Sequence, residues 1–338
     1  MTFLKKIGGA VTALAFSATV GMAQEHTLTI SSWAPPTHGV NAIMWPKLVD
    51  MIEEATNGRV TAELKLGLAS PPAQMDLIQD GAADMSFIFH GYQPGRFVTT
   101  KLIELPGYEG SAEAASVAYW DVYESHLAAA NEHRGVKLVG LMTHGPAQLH
   151  SNKAVTSLDE VSGMKVRIPG GVGGDIGAAL GATGIQVPAP KVYETLASNA
   201  ADGVVMPFES RVGFKLTEVA TNVYHMPGGL YRGSFAVIMN EDTFADLPAD
   251  LQKALDEKVF GAPLSRMAGA MWDEIDAKGM SATETTAGNA INKASDADVA
   301  SFAKIAADVR TAVKAEVAAK GIDAEAAVAQ ITAVMAQN

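Results

Sequence analysis

The sequence contains no cysteine, which removes disulfides, thiolate nucleophiles and cysteine-ligated metals from consideration. Cations are in the minority, with 25 Lys and Arg against 37 Asp and Glu and a formal net charge of −12. Phosphate-backbone binding needs clustered Lys and Arg, so nucleic acid is not expected as a partner. A small anion is not excluded, because net charge sets the far field while one buried Arg sets a local one. Beyond the first 23 residues no stretch reaches about 18 uninterrupted apolar residues, so no transmembrane helix is expected there.

Catalytic and metal motifs are missing as well. The eight histidines contain no His-Glu-x-x-His, and His144 and His150 are too loosely spaced to argue for a metal. No Gly-x-Ser-x-Gly elbow occurs, and Glu53-Glu54 and Asp296/Asp298 fall where solvated helix faces or caps are expected. In PGGVGGDIG (169–177), Ile176 stands where a dinucleotide fingerprint needs its third Gly, and no Gly-Lys-Ser/Thr follows. The cluster still allows a helix N-terminus that faces a ligand. No catalytic residue, metal or cofactor is expected, and the chain is not read as an enzyme.

The N-terminus places Lys5 and Lys6 before an apolar run from Ile7 to Val20, with small residues at Gly21 and Ala23. This reads as a cleavable signal peptide over 1–23, cut after Ala23, which directs the protein to the periplasm. The remainder exceeds the roughly 250–300 residues at which a single core stops growing, so two lobes are expected.

Strands are expected at His26 to Trp33, Val60 to Leu68, Ala83 to Phe89, Lys137 to Met142, Met164 to Ile168, Gly203 to Met206 and Phe235 to Asn240. Helices are expected at Val40 to Thr56, stopped by Asn57-Gly58, and at Met75 to Gly81, Gly173 to Leu180 and Tyr193 to Ser198. Pro248 to Lys278 reads as one long helix kinked near Pro263, and Ala297 to Ala336 as two packing helices separated at Gly321-Ile322-Asp323. Alternating β and α segments predict an α/β fold with working loops at strand carboxyl ends.

Arg167 stands apart. It lies inside a short strand between Val166 and Ile168 and just before Pro169-Gly170. A guanidinium buried there needs a partner, because an uncompensated buried charge costs several kcal/mol. Chemistry alone leaves two partners open: an acidic side chain of the protein, or a ligand carboxylate held by the planar fork.

The stretch SLDEVSGMKVRIPG, followed by VPAPKVYETLASNAADGVV, resembles the solute-binding proteins of tripartite ATP-independent periplasmic (TRAP) transporters, dicarboxylate-receptor type. The family pattern is a G-x-K-x-R-x-P run, then P-x-x-x-x-Y-x-x-L and D-G, and the likeness runs from about Thr27 to Gly279. The resemblance implies a type II periplasmic binding protein: two lobes joined by hinge strands, with a long helix spanning both. It implies lobe I from 24–144 plus 233–272, and lobe II from 145–232 plus 273–338. It also implies a small organic anion as ligand, integral membrane subunits as partners, and Arg167 as the residue that binds the ligand carboxylate.

Aligned with sialic-acid-binding members, positions that those proteins fill with polar groups are here Trp33, Pro71, Phe89, Tyr92, Ala147 and Met206. A pocket with one anion clamp and apolar walls would leave sugar hydroxyls or a second carboxylate unpaired. The expected ligand is therefore a monocarboxylate with an apolar or aromatic body. Phe208 joins the expected wall, and His90, Gln148, Glu209 and Tyr231 are the polar candidates beside it. The competing reading is a C4-dicarboxylate or sulfonate receptor in which His144, Gln148 or Arg232 replaces the missing second cation; a periplasmic enzyme on the same scaffold stands behind both.

Overall fold

The computed structural model describes residues 25–337, so the expected signal peptide and cleavage site lie outside the described residues. In chain order the strands among the described residues are β1 (His26–Ser32), β2 (Val60–Leu66), β3 (Met85–Phe89), β4 (Lys137–Thr143), β5 (Gln148–Ser151), β6 (Lys165–Arg167), β7 (Thr183–Ile185), β8 (Gly203–Met206), β9 (Asn222–His225), β10 (Ser234–Met239) and β11 (Ala290–Lys293). They form two sheets, ordered β2-β1-β3-β10-β4 and β11-β9-β5-β8-β6-β7.

In the first sheet β1 runs parallel to β2 and β3, while β10 is antiparallel to β3 and β4. Every residue of β3 (MSFIF) and β10 (SFAVIM) is buried, as expected of central strands covered on both faces. β2 closes the edge with exposed Glu63 and Lys65, charges that discourage pairing with another chain. In the second sheet β6 lies between β7 and β8, parallel to both, which sets Arg167 opposite Ile185 and Val204.

Two short crossings join the sheets, from β4 to β5 through 144–147 and from β9 to β10 through 226–233, and a third, long one runs from β10 to β11 through 240–289. The two short crossings are hydrogen-bonded to each other, Ala147 N to Tyr231 O at 2.9 Å, Leu230 N to Ala147 O at 2.8 Å and His144 N to Gly233 O at 3.2 Å. They make one paired hinge, so anything attached to it senses both lobes.

Local signals explain the helix ends. Asn57 takes φ 54° at the stop expected after the first helix, and Gly321 (φ 82°) with Asp323, whose side chain accepts from Ala326 N, separates Asp296–Ala318 from Ala324–Met335. The expected single helix around Pro263 is instead two, Ala249–Lys258 and Ala262–Thr285. Gly261 turns the chain at φ 77°, and proline in the first turn lacks only an N–H that a helix start leaves unpaired anyway. Pro263 therefore begins a helix, and the chain reverses at Gly261. Ala262–Thr285 packs on β4 of the first sheet and on Ser210–Gly213 beside the second, so it spans both lobes. The last helix, Ala324–Met335, packs against Ala112–Val122.

Candidate functional site

Between the lobes, a small aromatic chamber takes Trp33, Phe87 and Phe89 from the first sheet, Arg167 and Met206 from the second, and His144 and Tyr231 from the hinge. Glu209, Phe214 and Trp272 close it with His38. Ring packing holds the wall: Trp33 stacks on Phe87 at 4.4 Å, Phe89 meets Tyr92 edge-on at 4.8 Å, and Phe235 stacks on Trp272 at 5.3 Å.

Arg167 is 2% exposed. Its Nε donates to Val187 O at 2.9 Å and a terminal nitrogen to Tyr92 Oη at 3.1 Å, and Tyr92 Oη also accepts from Ala189 N at 2.7 Å. These bonds fix the plane of the fork. Among the described residues no carboxylate lies within ion-pair distance of it, and its remaining N–H groups have no protein acceptor. A buried cation held rigid by neutral groups is suited to an anion, which makes it a candidate site.

The chamber's other polar groups are mostly occupied. His144 Nδ1 lies 2.6 Å from Gly145 O and its Nε2 accepts from Gly233 N at 3.0 Å, which fixes the neutral ring; burial lowers its pKa to about 4. Trp33 Nε1 donates to Phe87 O at 3.0 Å. His38 Nδ1 accepts from Val40 N at 3.2 Å, and its Nε2 lies 3.0 Å from Glu209 Oε2. Glu209 N donates to Asp276 Oδ1 at 2.9 Å, and burial raises the Asp276 pKa to about 7, with Glu209 and Asp273 adding to it.

Of the residues expected from sequence, Arg167, Trp33, Phe89, Tyr92, Met206, Glu209 and Tyr231 come together on this chamber, and three do not. His90 turns away: its Nε2 meets His133 Nε2 at 2.9 Å and its Nδ1 meets Ser234 Oγ at 2.9 Å. Burial, then His133, holds its pKa well below the usual value. Gln148 is engaged with the hinge, accepting from Met226 N at 2.8 Å and donating to Met226 O at 3.2 Å. Phe208 packs between His150 and His225, with centroids 6.0 and 5.9 Å away.

The glycine-led helix Gly171–Ala179 has a protein carboxylate at its start. Glu104 takes its first turn, accepting from Val172 N at 2.8 Å, while its other oxygen accepts from Ser234 Oγ at 2.6 Å. A wider cleft of about 670 Å³ lies beside this turn. Its cation, Lys101, is already neutralised by Asp175 and Glu316, both at 2.8 Å. The aromatic chamber is therefore the better anion site, despite its smaller size.

Residues 31–316 match the model of bacterial extracellular solute-binding protein, family 7. The chain is similar to a TRAP periplasmic solute-binding protein from Bordetella bronchiseptica, solved with (R)- and (S)-mandelate, at 39% identity and a TM-score of 0.89, covering 92% of this chain and 99% of that one. It is similar to a marine metagenome TRAP solute-binding protein described as specific for aromatic acid ligands, solved with metahydroxyphenylacetate, at 26% identity and a TM-score of 0.84, covering 93% and 99%. A TRAP solute-binding protein from Rhodoferax ferrireducens, in complex with copurified benzoate, matches at 27% identity and a TM-score of 0.84, covering 92% and 98%. The chain belongs to bacterial extracellular solute-binding protein family 7, and is a solute-binding protein of the TRAP transporter type.

Proposed function

We propose that this protein captures an aromatic monocarboxylate, the carboxylate paired with Arg167 and the ring held in the aromatic chamber while the lobes close, for delivery to TRAP membrane subunits from the periplasm. The observation that carries the reading is the buried Arg167 guanidinium, held by Val187 O and Tyr92 Oη and left without a protein carboxylate in a chamber walled by rings. The ligands of the mandelate, hydroxyphenylacetate and benzoate receptors support it. Ligand favours the closed state only by its greater affinity for that state, so carboxylate contacts from one lobe and ring contacts from the other drive closure together. The lobes part at the paired crossings 144–147 and 226–233.

A C4-dicarboxylate or sulfonate reading needs a further cation or donor, and none of its candidates offers a free one to the chamber. His144 is neutral, Gln148 is engaged with Met226, and Arg232 donates to Gly110 O outside the chamber. A thermal-shift series with benzoate, phenylacetate, mandelate, succinate and an alkyl sulfonate tests the choice. The aryl acids should raise the melting temperature most; a larger shift with succinate would overturn the reading. Recovery of the bound acid chemically unchanged after prolonged incubation separates a receptor from an enzyme on the same scaffold.

A further inference from the structure

The chamber has two polar ends. Tyr92, bonded to Arg167, and Tyr231, whose ionisation the Arg167 charge influences, belong to the first. Glu209, His38, Phe214 and Trp272 form the second, with the His38 ring 5.2 Å from Phe214 and 5.6 Å from Trp272. His144 stands between, 5.4 Å from the Tyr231 ring and 6.1 Å from Trp272.

The second end holds two buried polar atoms without an aligned hydrogen bond. Glu209 is 3% exposed, and its Oε2 has no aligned hydrogen bond, because His38 Nε2 approaches at 3.0 Å but off the line that a bond needs. Trp272 Nε1 is a buried donor with no acceptor. Orphaned buried groups cost stability, and in a binding chamber they point to the ligand's chemistry.

We propose that this end takes a hydroxyl group, so that the ligand is a hydroxylated aryl carboxylic acid whose O–H donates to Glu209 Oε2. This deepens the aryl-carboxylate reading and rests on it. A hydroxyl both donates and accepts, so it can serve Glu209 and Trp272 together; a bare ring edge serves neither. An ammonium group fits worse. It brings three donors that all need acceptors, and His38 Nδ1 is already taken by Val40 N. A second carboxylate would meet the Glu209 charge.

Calorimetric titration of matched pairs tests this: benzoate with 3-hydroxybenzoate and with 3-(hydroxymethyl)benzoate, and phenylacetate with 3-hydroxyphenylacetate, plus 3-(aminomethyl)benzoate as the ammonium analogue. In the wild type at least one hydroxylated acid should bind about tenfold or more tighter than its parent, as a hydrogen bond to a charged group allows. Glu209→Gln should shrink that ratio about threefold or more, since a neutral amide accepts more weakly, and Trp272→Phe should also reduce it. Taking the ratio within each variant cancels general damage to the fold. The proposal is overturned if no pair shows a preference, if the preference survives Glu209→Gln intact, or if 3-(aminomethyl)benzoate outbinds 3-(hydroxymethyl)benzoate. If aryl acids all bind but hydroxyl groups make no difference, only this inference falls. If none binds, the aryl-carboxylate reading falls with it.

Discussion

Replacing Arg167 with Ala separates a binding arginine from a structural one, because the two roles predict opposite effects on the empty protein. The side chain is 2% exposed and makes two hydrogen bonds, to Val187 O and Tyr92 Oη. Deleting them costs about 1 kcal/mol each, against several kcal/mol regained by no longer burying an uncompensated charge. The empty variant should therefore melt no lower than the wild type. With ligand the balance reverses. Truncating one partner of a buried charge pair costs about 3–5 kcal/mol, which is roughly 150- to 5,000-fold in Kd.

The assay is calorimetry for affinity, paired with thermal melts with and without ligand. For the wild type, ligand at about a hundred times Kd contributes about 2.7 kcal/mol, a shift of about 5 °C for a chain of this size. Arg167→Ala should abolish the shift. Arg167→Lys should fall between, because it keeps the charge but loses the fork and the Nε bond to Val187. An Ala variant that binds within threefold of the wild type would refute the clamp. One that melts far lower when empty would make Arg167 a structural residue.

Two further outcomes follow from the same geometry. Gly170 sits at φ 96°, and a Cβ there would stand 2.3 Å from Gly91 O, which follows β3 across the cleft. Gly170→Ala should wedge the lobes apart and lower affinity about tenfold or more, with a larger liganded radius in solution scattering; wild-type affinity and radius would show that closure does not use this contact. Stability should also fall in acid. Burial, as the leading cause, lowers the pKa of His133 and His150 to about 3, that of His144 to about 4, and that of His90 well below its usual 6.5. A depressed histidine leaves stability intact above about 6.5 and removes it as pH drops toward the folded value. Glu104 and Asp276, pushed up to about 7 by burial, act the other way over the same window. Four histidines outweigh two acids, so urea midpoints should decline from pH 7 through 6 to 5, with a net uptake of about two protons on unfolding. Midpoints that stayed level or rose would contradict this assignment.

What the sequence revealed and what it hid have physical causes. Strands covered on both faces, such as β3 and β10, announce themselves as near-continuous apolar runs. β9 (NVYH) and β11 (AINK) do not: β9 buries only Val223 and Tyr224, between polar ends, and β11 is an edge strand with no buried residue, held by its pairing with β9. Period-two alternation along β3 puts Phe87 with Phe89 in the chamber and sends His90 the other way, a signal legible in the sequence. His38, Phe214 and Trp272 carried no such signal, since they come from a loop, a turn and a helix far apart in the chain.

The arginines show the limit most clearly. Arg167, Arg211 and Arg232 are all almost fully buried, at 2%, 0% and 3% exposure, so burial does not distinguish them. Arg211 is taken up by the protein, donating to Thr283 Oγ1 at 3.0 Å and to Leu216 O, Ala220 O and Asn289 Oδ1. Arg232 donates to Gly110 O away from the chamber, and only Arg167 of the three lines it. No local pattern encodes that difference; the G-x-K-x-R-x-P resemblance pointed to it, and the geometry supplies a reason. A buried arginine is suited to a ligand where the fold fixes the guanidinium but withholds the anion.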